Sequence, residues 1–293
     1  MTAVDGRAGA GAMRCAVLGD PIAHSLSPVL HRAGYAAAGL AWEYDAVRIA
    51  QDGLAAFLDG LDGDWRGLSL TMPHKRTALG LTDPSIGVVS DRARLAGAAN
   101  TLVLENGRVV LADNTDLPGA VAAVRERYDG PVTAGTVLGG GATAASTGLA
   151  LCELGARSVT LMVRSPERAG EAAAAIARHP SRPRVQIGSL ADDPIVGEVV
   201  VSTIPAGAQD AALVARCGSA PVVFEVLYDP WPTPLAASAT ATSSASGRVL
   251  VGGLDLLVHQ AVLQFELFTG VEGPLSAMRA AGETALAARR AAG

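Results

Sequence analysis

The sequence is poor in the residues that form disulfides, bind metals or anchor a chain in a membrane. Its three cysteines, at positions 15, 152 and 217, lie far apart and form no C-x-x-C pair. This argues against a disulfide framework and is typical of inert core thiols in a reducing cytoplasm. The five histidines show no metal-ligand spacing. No apolar run reaches the roughly 18 residues of a membrane helix, and the net charge of −5 comes without a basic block. We therefore expect no metal, no membrane association and no nucleic-acid partner.

Hydrophobic residues, by contrast, are plentiful. The chain has 293 residues, of which 49% are hydrophobic and 17% charged, enough for two domains with buried cores. Residues 1–12 are rich in glycine and alanine and lack the apolar stretch of a signal peptide, so they predict a loose tail. The composition indicates a globular protein of the cytoplasm.

The most informative stretch is a glycine turn at residues 136–144, placed between a short apolar run and an alanine-rich one. The spacing Gly139-x-Gly141-x-x-Ala144 fits the dinucleotide-binding fingerprint, in which small residues allow a tight turn, close approach to a pyrophosphate and close helix–strand packing. The helix that follows would offer free N–H groups and a partial positive charge to the phosphates. An ordinary glycine loop is the alternative, because the chain contains 34 glycines.

The context of this turn predicts a βαβ unit. A helix is expected at residues 144–154 with Gly155 at its C-cap, and a buried strand at residues 158–163. NAD-binding proteins usually place a carboxylate after the second strand, but this chain has Arg164, Ser165 and Arg168 there. Arginine pairs with a 2′-phosphate, so the site predicts NADP rather than NAD. The alternative is that the two arginines only begin a solvated helix.

Two serines precede the first predicted helix. Ser25 and Ser27 lie two residues apart in an extended piece ahead of Pro28, which suits the first position of a helix. Their hydroxyls could face one ligand together. The alternative is a helix cap and a turn serine.

A lysine and an aspartate also stand at predicted element ends. Lys75 follows the strand-ending Pro73, at the carboxyl end of a strand, where α/β proteins place ligands. An ordinary surface charge is the alternative. Asp116 closes the polar run 113–116 directly before an apolar helix, and in its alternative interpretation it only caps that helix.

Periodicity predicts the remaining elements. Asn106 and Gly107 predict a hairpin turn, residues 227–234 a rigid proline-rich loop, and residues 236–247 a poor helix followed by a flexible turn. Further strands are predicted at residues 15–19, 44–49, 68–72, 100–104, 109–112, 185–187, 198–203, 221–226 and 248–251. Helices are predicted at residues 28–40, 53–61, 120–124, 254–268 and 283–292.

Several separate stretches, in order along the chain, resemble the shikimate dehydrogenases. The resemblance extends over about residues 15–269, and its motifs are specific in combination. They are residues 19–28 (GDPIAHSLSP), 70–75 (LTMPHK), 97–102 (GAANTL), 113–116 (DNTD), the turn at 139, Tyr228 with Thr233-Pro234, and residues 253–260.

The resemblance implies an α/β fold of two domains. Residues 13–117 and 252–293 would form the catalytic, substrate-binding domain, with the C-terminal helices folding back onto it. Residues 118–251 would form a Rossmann-type NADP-binding domain, with the active site in the cleft between them. The family reversibly reduces 3-dehydroshikimate to shikimate with NADPH, on the route to chorismate and the aromatic amino acids.

The resemblance also implies site residues. Lys75 and Asp116 would be the catalytic pair, because a cationic lysine can stabilise the oxygen on which charge develops and deliver its proton, and a carboxylate orients the ammonium. The substrate would be held by Ser25, Ser27, Thr71, Asn100, Asp116, Tyr228 and Gln260. The cofactor would be held by Gly139, Gly140, Gly141, Ala142, Thr143, Arg164, Ser165, Arg168, Thr203 and Gly253.

Some residues depart from the family pattern. Ser69 stands where many members carry Asn, and Leu256 where Met is common, a volume-conserving exchange. The stretch between Lys75 and Asp91 is a few residues longer, which leaves the role of Asp91 open. Residues 144–145 (AA) lack the usual basic residue after the glycine turn.

These departures leave alternatives to shikimate as substrate. A paralogue acting on quinate or aminoshikimate is one, because a merely apolar wall excludes one extra hydroxyl poorly. A non-catalytic NADP- or ligand-binding regulator on the same fold is another, although a binding module has no need of a proton-transfer pair. The oligomeric state stays open between monomer and homodimer.

Overall fold

The computed structural model describes residues 12–81 and 87–292. The predicted loose tail, residues 1–12, lies outside the described residues except for its last position. Part of the long stretch between Lys75 and Asp91, residues 82–86, also lies outside them.

The N-terminal part of the chain builds a six-stranded sheet. Its strands are β1 (Arg14–Gly19), β2 (Glu43–Arg48), β3 (Trp65–Leu70), β4 (Val88–Val89), β5 (Thr101–Glu105) and β6 (Arg108–Asp113). They lie in the order β2-β1-β3-β5-β6-β4, and β5 runs antiparallel to both of its neighbours whereas the other pairs are parallel. The predicted hairpin turn joins β5 to β6, with Asn106 and Gly107 at φ of 51° and 74°. Positive φ at both positions is what such a turn requires.

Both faces of this first sheet are covered. Alternate residues of β1 enter two different apolar clusters: Val17 packs with α1 (Ser27–Ala37), whereas Leu18 packs on the side of α2 (Leu54–Asp59). A sheet buried on both faces needs near-continuous apolar strands, which explains why β1 is buried at every position except its first.

The second sheet is entirely parallel. Its strands are β7 (Ala134–Leu138), β8 (Ser158–Val163), β9 (Arg184–Ser189), β10 (Val199–Ser202), β11 (Val222–Glu225) and β12 (Val249–Val251). They lie in the order β12-β11-β10-β7-β8-β9. This is the doubly wound order, in which the direction of winding reverses between β7 and β10 and leaves a crevice at their carboxyl ends. The predicted α/β fold with a Rossmann-type sheet is confirmed.

Eight further helices complete the described fold. They are α3 (Asp91–Ala96), α4 (Asp116–Arg127), α5 (Ala142–Glu153), α6 (Gly170–Ala177), α7 (Ala211–Arg216), α8 (Pro234–Ser246), α9 (Gly253–Thr269) and α10 (Leu275–Ala292).

Helices α4 and α9 connect the two sheets and cross closely. A Cβ on Gly119 of α4 would lie 2.9 Å from both the Cβ and the backbone N of Gln260 on α9, so only glycine allows this approach. The crossing places Asp116, one turn earlier on α4, beside Gln260. Farther along α9, Phe268 lies on Gly67 of β3, where a Cβ would come within 2.2 Å of the ring.

The C-terminal helices pack on the first sheet. Helix α10 contacts α1, and α9 contacts β3 and β5. These contacts motivate the division into residues 13–117 with 252–293 and residues 118–251, which stays a prediction.

Some predicted boundaries are wrong. The predicted poor helix and flexible turn at residues 236–247 is one helix, α8, because tertiary packing buries Leu235, Ala236 and Ala239 along it. Helix α10 begins at Leu275, eight residues before its predicted start, and β3 ends at Leu70 rather than at residue 72. Helices α3 and α7 were not predicted, and α6 begins shortly after the solvated helix start that was the alternative interpretation of Arg164 and Arg168.

Candidate active site

The carboxyl ends of strands from both sheets face a common cavity of about 800 Å³. The segments after β1 and β3 form its wall on one side, and those after β7, β10 and β11 form the other. The first turns of α4 and α9 lie between them. Because α/β sheets bind ligands beyond their carboxyl ends, this cavity is the candidate active site.

Lys75 and Asp116 form an ion pair in this cavity. The Lys75 Nζ lies 2.6 Å from Asp116 Oδ2, and the two side chains are only 15% and 7% exposed. A backbone hydrogen bond holds the turn that carries the lysine, because the carbonyl of Lys75 accepts from the N–H of Ala99 at 2.7 Å. Lys75 is also the only lysine in the whole sequence; the other 22 basic residues are arginines.

Asp116 does not cap its own helix. The N–H of Leu117 instead donates to Asn114 Oδ1 at 3.1 Å, so Asn114 satisfies the first turn of α4. The Asp116 carboxylate is left free for the cavity, where Oδ2 faces Lys75 and Oδ1 accepts from Asn100 Nδ2 at 2.9 Å.

An amide network surrounds this pair. The Asn100 Nδ2 also reaches Gln260 Oε1 at 3.3 Å, and Gln260 Nε2 donates to the carbonyl of Leu257 at 2.9 Å. Thr71 follows directly after β3 and also lines the cavity, and its N–H donates to the carbonyl of Leu18 at 2.9 Å. Asn100 and Gln260 therefore meet beside Asp116, and Thr71 lines the same cavity.

The two serines and Tyr228 line the cavity, and Tyr228 hydrogen-bonds with the backbone of Leu26, which lies between the serines, so the three residues share one corner. The predicted extended piece is wrong, because Leu26 already has helical backbone angles and Ser27 is the first residue of α1. The N–H of Ser27 donates to Ser25 Oγ at 3.3 Å, so Ser25 forms a turn at the start of this helix. Burial raises the pKa of Tyr228, although a hydrogen bond with the backbone of Leu26 and the charge of Arg289 act in the opposite direction. Tyr228 therefore stays a neutral hydroxyl, and the corner offers three hydroxyl groups of which none is charged.

The glycine turn forms the other wall. Gly139 has a φ of +122°, and a Cβ there would lie 2.2 Å from Thr203 Oγ1. Thr203 in turn donates to the carbonyl of Leu138 at 2.8 Å, which ties β10 to the turn. Gly140 packs on Ala169, whereas a Cβ on Gly141 would meet nothing within 4 Å. The open space lies directly before α5, whose first N–H groups are free for an anion.

The predicted cofactor residues fall into two groups. The first group lines the cavity and consists of Gly139, Gly140, Gly141, Ala142, Thr143, Thr203 and Gly253. Arg164, Ser165 and Arg168 do not line it; they follow β8, and Arg164 and Arg168 are exposed. They are nevertheless close to the turn, because the carbonyl of Arg168 would lie 3.0 Å from a Cβ on Gly140. This placement suits the 2′-phosphate end of a dinucleotide whose pyrophosphate lies at the glycine turn.

Sequence reasoning missed Gln264, which lines the cavity beneath Ser69. Its Oε1 accepts from Ser69 Oγ at 2.7 Å, and its Nε2 donates to the carbonyl of Asn100 at 3.1 Å. Ser69 accepts in turn from the Tyr44 hydroxyl at 2.6 Å. The available signal was the spacing of four residues from Gln260 on the same helix, which places both amides on one face.

Asp91, whose role was left open, lies away from the cavity. Its side chain is fully exposed at the start of α3 and pairs with Arg94 at 3.1 Å. The buried carboxylate of this region is Asp113, which accepts from Arg92 Nε at 2.7 Å. Burial alone would raise the pKa of Asp113, but the hydrogen bonds from Arg92 and Ser90 hold it below its usual value.

The described residues contain neither a cluster of metal ligands nor a membrane-spanning helix. No group of three or more His, Cys, Asp or Glu side chains within residues 12–81 and 87–292 could hold a metal ion. No helix in the same part of the chain is both long and apolar enough to span a membrane.

The doubly wound sheet, its glycine turn and the facing lysine–carboxylate pair define a two-domain, Rossmann-type dinucleotide-binding protein. Residues 17–102 match the model of the shikimate dehydrogenase substrate binding domain, and residues 253–281 match that of the shikimate 5′-dehydrogenase C-terminal domain. The shikimate dehydrogenase (NADP(+)) of Desulfitobacterium hafniense is 32% identical over 93% of this chain and 98% of its own length. The chain belongs to the shikimate dehydrogenase family.

Solved structures are similar over almost the whole chain. The shikimate dehydrogenase of Mycobacterium tuberculosis is 37% identical with a TM-score of 0.81, over 94% of this chain and 99% of that one. The quinate dehydrogenase of Corynebacterium glutamicum in complex with NAD is 26% identical with a TM-score of 0.80, over 93% and 99%. The similar structures therefore include one that is named for quinate and was solved with NAD.

Proposed function

We propose that this protein catalyses the reversible NADPH-dependent reduction of 3-dehydroshikimate to shikimate. One observation carries the proposal: a buried Lys75–Asp116 pair, joined at 2.6 Å, stands in the cavity opposite the glycine turn. Curated relatives at 32% and 36% identity carry the name shikimate dehydrogenase (NADP(+)).

Lys75 would act on the carbonyl oxygen of the substrate. NADPH, when bound, supplies the hydride for the carbonyl carbon. The ammonium of Lys75 stabilises the negative charge that develops on the oxygen and then donates its proton to it. In the oxidation direction the neutral amine takes the hydroxyl proton. Asp116 holds the ammonium in place through its 2.6 Å contact.

The surrounding residues would orient the ring. Ser25, Ser27 and Tyr228 offer hydroxyl donors to the substrate carboxylate at one corner. The ring hydroxyls would be bound by Asn100, Asp116 and Gln260, which form one hydrogen-bonded group with Lys75, and by Thr71, which lines the same cavity. Polar contacts at both ends of the ring would fix which carbon faces the nicotinamide, and Gly253 would lie beside that ring.

The geometry of the glycine turn fits NADP. The open space before α5 leaves room for a pyrophosphate at Gly141. The cavity wall around this space is formed by Gly139, Gly140, Ala142, Thr143 and Thr203. Arg164, Ser165 and Arg168, beyond the end of β8, would bind the 2′-phosphate, since arginine pairs with phosphate by charge-assisted bonds. The absence of a carboxylate at the end of β8 favours NADP over NAD.

Quinate is a second candidate substrate. Ser69 is shorter than the Asn that many family members carry, and the structure places it on the cavity wall. A quinate dehydrogenase is also among the similar structures. An extra hydroxyl could be accommodated beside Ser69, whose Oγ keeps one free acceptor lone pair after its bonds to Tyr44 and Gln264.

The test is turnover of the purified protein, followed by the absorbance of the reduced nicotinamide, with shikimate and quinate each paired with NADP and NAD. Turnover confined to shikimate and NADP supports the proposal. Preferred turnover of quinate would assign the paralogous activity, and preferred use of NAD would contradict the roles of Arg164 and Arg168. No turnover with any pair, together with binding of NADP, would leave an aminoshikimate dehydrogenase or a non-catalytic regulator.

A further inference from the structure

The corner of the cavity proposed for the substrate carboxylate contains no charge of its own. Ser25, Ser27 and Tyr228 each contribute a neutral hydroxyl. A carboxylate that leaves water loses strong solvation, and hydrogen bonds from neutral donors replace it only in part. A cation close to this corner would therefore strengthen binding of the substrate carboxylate.

Arg289 of α10 is that cation. Its Nη1 donates to the carbonyl of His24 at 2.9 Å and lies 3.4 Å from Asp229 Oδ2. The Arg289 side chain is about one-third exposed, at 34%. The arginine thus bridges two loops that come from different parts of the sequence, and it does so from a third element, the C-terminal helix.

The two bridged residues are direct neighbours of the proposed carboxylate ligands. His24 precedes Ser25, and Asp229 follows Tyr228. The imidazole of His24 also faces Asp229, with 4.0 Å between Nδ1 and Oδ2. A bond at His24 and a bond at Asp229 therefore set the distance between the loop of Ser25 and the loop of Tyr228.

The charge of Arg289 reaches the Tyr228 hydroxyl. Burial raises the pKa of this tyrosine, and the positive charge of Arg289 opposes that rise whereas Asp229 adds to it. Arg289 and Asp229 are thus the charged side chains whose fields meet at this hydroxyl. A substrate carboxylate that hydrogen-bonds to Tyr228 would be attracted by Arg289, and Arg289 also offsets the repulsion from the neighbouring Asp229.

We propose that Arg289 is a positioning residue for the carboxylate of the substrate, holding the loops of Ser25 and Tyr228 together and supplying positive charge behind them. This inference rests on the proposed function. It implies a preference for acidic substrates over uncharged polyols of the same shape, and it makes the C-terminal helix part of the substrate site.

The experiment compares Arg289→Gln with the wild type on shikimate and on its uncharged methyl ester, with NADP. The matched control is Arg290→Gln, since Arg290 is exposed on the adjacent position of α10. We expect Arg289→Gln to raise KM for shikimate about ten-fold. This is the fold-change that corresponds to the weakest hydrogen bonds involving a charged group. We expect kcat, KM for NADP and KM for the ester to change by less than about two-fold, and Arg290→Gln to resemble the wild type.

Arg289→Lys separates the two contributions of the arginine. Both contacts of Arg289 come from Nη1. Lysine keeps the charge, but its ammonium stands on a different, more flexible stem, so an intermediate KM for shikimate is expected. Thermal unfolding of each variant shows whether the protein stays folded. If Arg289→Gln unfolds at a lower temperature than the wild type, Arg289→Lys takes its place in the comparison of shikimate with its ester.

The outcomes are distinct. Equal losses on shikimate and its ester would show a purely structural role and overturn the inference, as would an unchanged KM for shikimate. If the wild type itself does not turn over shikimate, the proposed function is wrong and this inference falls with it. Wild-type turnover with an unaltered acid-to-ester ratio in Arg289→Gln would leave the proposed function intact and reject only the role of Arg289.

Discussion

Lys75 is the one position at which this sequence uses an ammonium group, since its other 22 basic residues are arginines. Arginine serves well wherever a permanent charge or a forked hydrogen bond is needed, but it does not release its proton in proteins. A general acid that must also act as a base in the reverse reaction needs a group that can lose a proton. The residue chemistry at position 75 therefore agrees with the proposed proton transfer.

Replacing Lys75 by Arg tests this requirement directly. The charge beside Asp116 is kept, so binding of NADP should be unchanged, whereas kcat should fall at least about 100-fold because general acid–base catalysis is lost. Steady-state kinetics and a cofactor titration measure the two effects. Arg32→Lys, which exchanges the same pair of residue types in an exposed ion pair with Asp45, should leave both unchanged. A Lys75→Arg protein with near wild-type kcat would rule out the catalytic role.

Gly141 tests the cofactor site, because the space around it is open. A Cβ there meets nothing within 4 Å, so Gly141→Ala should fold as stably as the wild type. The methyl group would nevertheless enter the space proposed for the pyrophosphate, and we expect NADP affinity to fall by about 2 kcal/mol, roughly thirty-fold in Kd.

The control for Gly141→Ala is Gly218→Ala, which also meets nothing within 4 Å but does not line the cavity. Calorimetric titration of both variants with NADP gives the comparison. Unchanged affinity in Gly141→Ala would place the cofactor elsewhere.

Individual residues were predictable where their chemistry lies in one contiguous stretch. Ser25, Ser27 and Lys75 each follow a recognisable strand end in the sequence, and the cavity brings them together. Gln264 was not predictable in this way, because its partners Ser69 and Asn100 are 195 and 164 residues away. A hydrogen bond across that separation depends on the tertiary fold and leaves no local pattern.

At the scale of elements, the crossing of α4 and α9 holds Asp116 beside Gln260. Gly119→Ala would place its Cβ 2.9 Å from the backbone N of Gln260, and backbone atoms cannot move aside cheaply. We expect a loss of about 1–3 kcal/mol in the free energy of unfolding, as for other overpacked contacts. We also expect a lower kcat, because the shift separates Asp116 from its partners.

Gly170→Ala is the control for this prediction, since Gly170 also lies in a helix, α6, and a Cβ there meets nothing within 4 Å. It should stabilise the protein by up to about 1 kcal/mol, the usual advantage of Ala in a helix. Chemical denaturation of both variants decides the sign. Equal changes in the free energy of unfolding in Gly119→Ala and Gly170→Ala would mean that α4 and α9 can move apart without loss of stability.

Elements were predictable from sequence where local signals agree. The Asn-Gly pair at 106–107 predicts both the turn and the antiparallel pairing of β5 with β6. The glycine turn and its flanking apolar runs predict β7, α5 and β8. Helix α8 was predicted less well, since its several Ser and Thr residues lower its intrinsic helix propensity. Burial of Leu235 and Ala239 against the second sheet outweighs that propensity.

At the scale of the whole molecule, the sequence predicts the second sheet better than the first. Repeated strand–helix alternation implies a parallel, right-handed arrangement, and the order of β7 to β12 follows it. In the first sheet, β1 lies between β2 and β3, an order that no local signal specifies. The return of α9 and α10 to that sheet was expected from the family resemblance and not from periodicity.

An ion cluster ties three helices together behind the cavity. Asp255 on α9 accepts from Arg127 Nη2 of α4 at 2.9 Å and from Arg279 Nη1 of α10 at 2.6 Å. Its other oxygen accepts from the N–H of Gly252 at 2.9 Å, which caps α9. Glu126 extends the cluster by accepting from His259 Nε2 at 2.6 Å. The cluster joins the helices that enter and leave the second sheet, so it connects the two halves of the molecule.

The charge of Asp255 should make the stability of the whole molecule depend on pH. Burial alone would raise the pKa of this carboxyl, but the hydrogen bonds from Arg127, Gly252 and Arg279 outweigh it and hold the pKa below its ordinary value. The folded state therefore binds this proton less tightly than the unfolded state. The stabilisation is complete above the unfolded pKa of about 3.9 and is lost as the pH falls further, through the folded pKa.

Asp255→Asn removes this titration, so its stability deficit should be largest near neutral pH and shrink in acid. We expect a deficit of about 2 kcal/mol at neutral pH, because hydrogen bonds to a charged acceptor are lost. Below about pH 3.5 the difference from the wild type should narrow. Urea denaturation across this pH range measures it, with Asp91→Asn, an exposed aspartate in a surface pair, as a control expected to differ by less than about 1 kcal/mol. A deficit that stays constant with pH would mean that Asp255 contributes by packing and not by its charge.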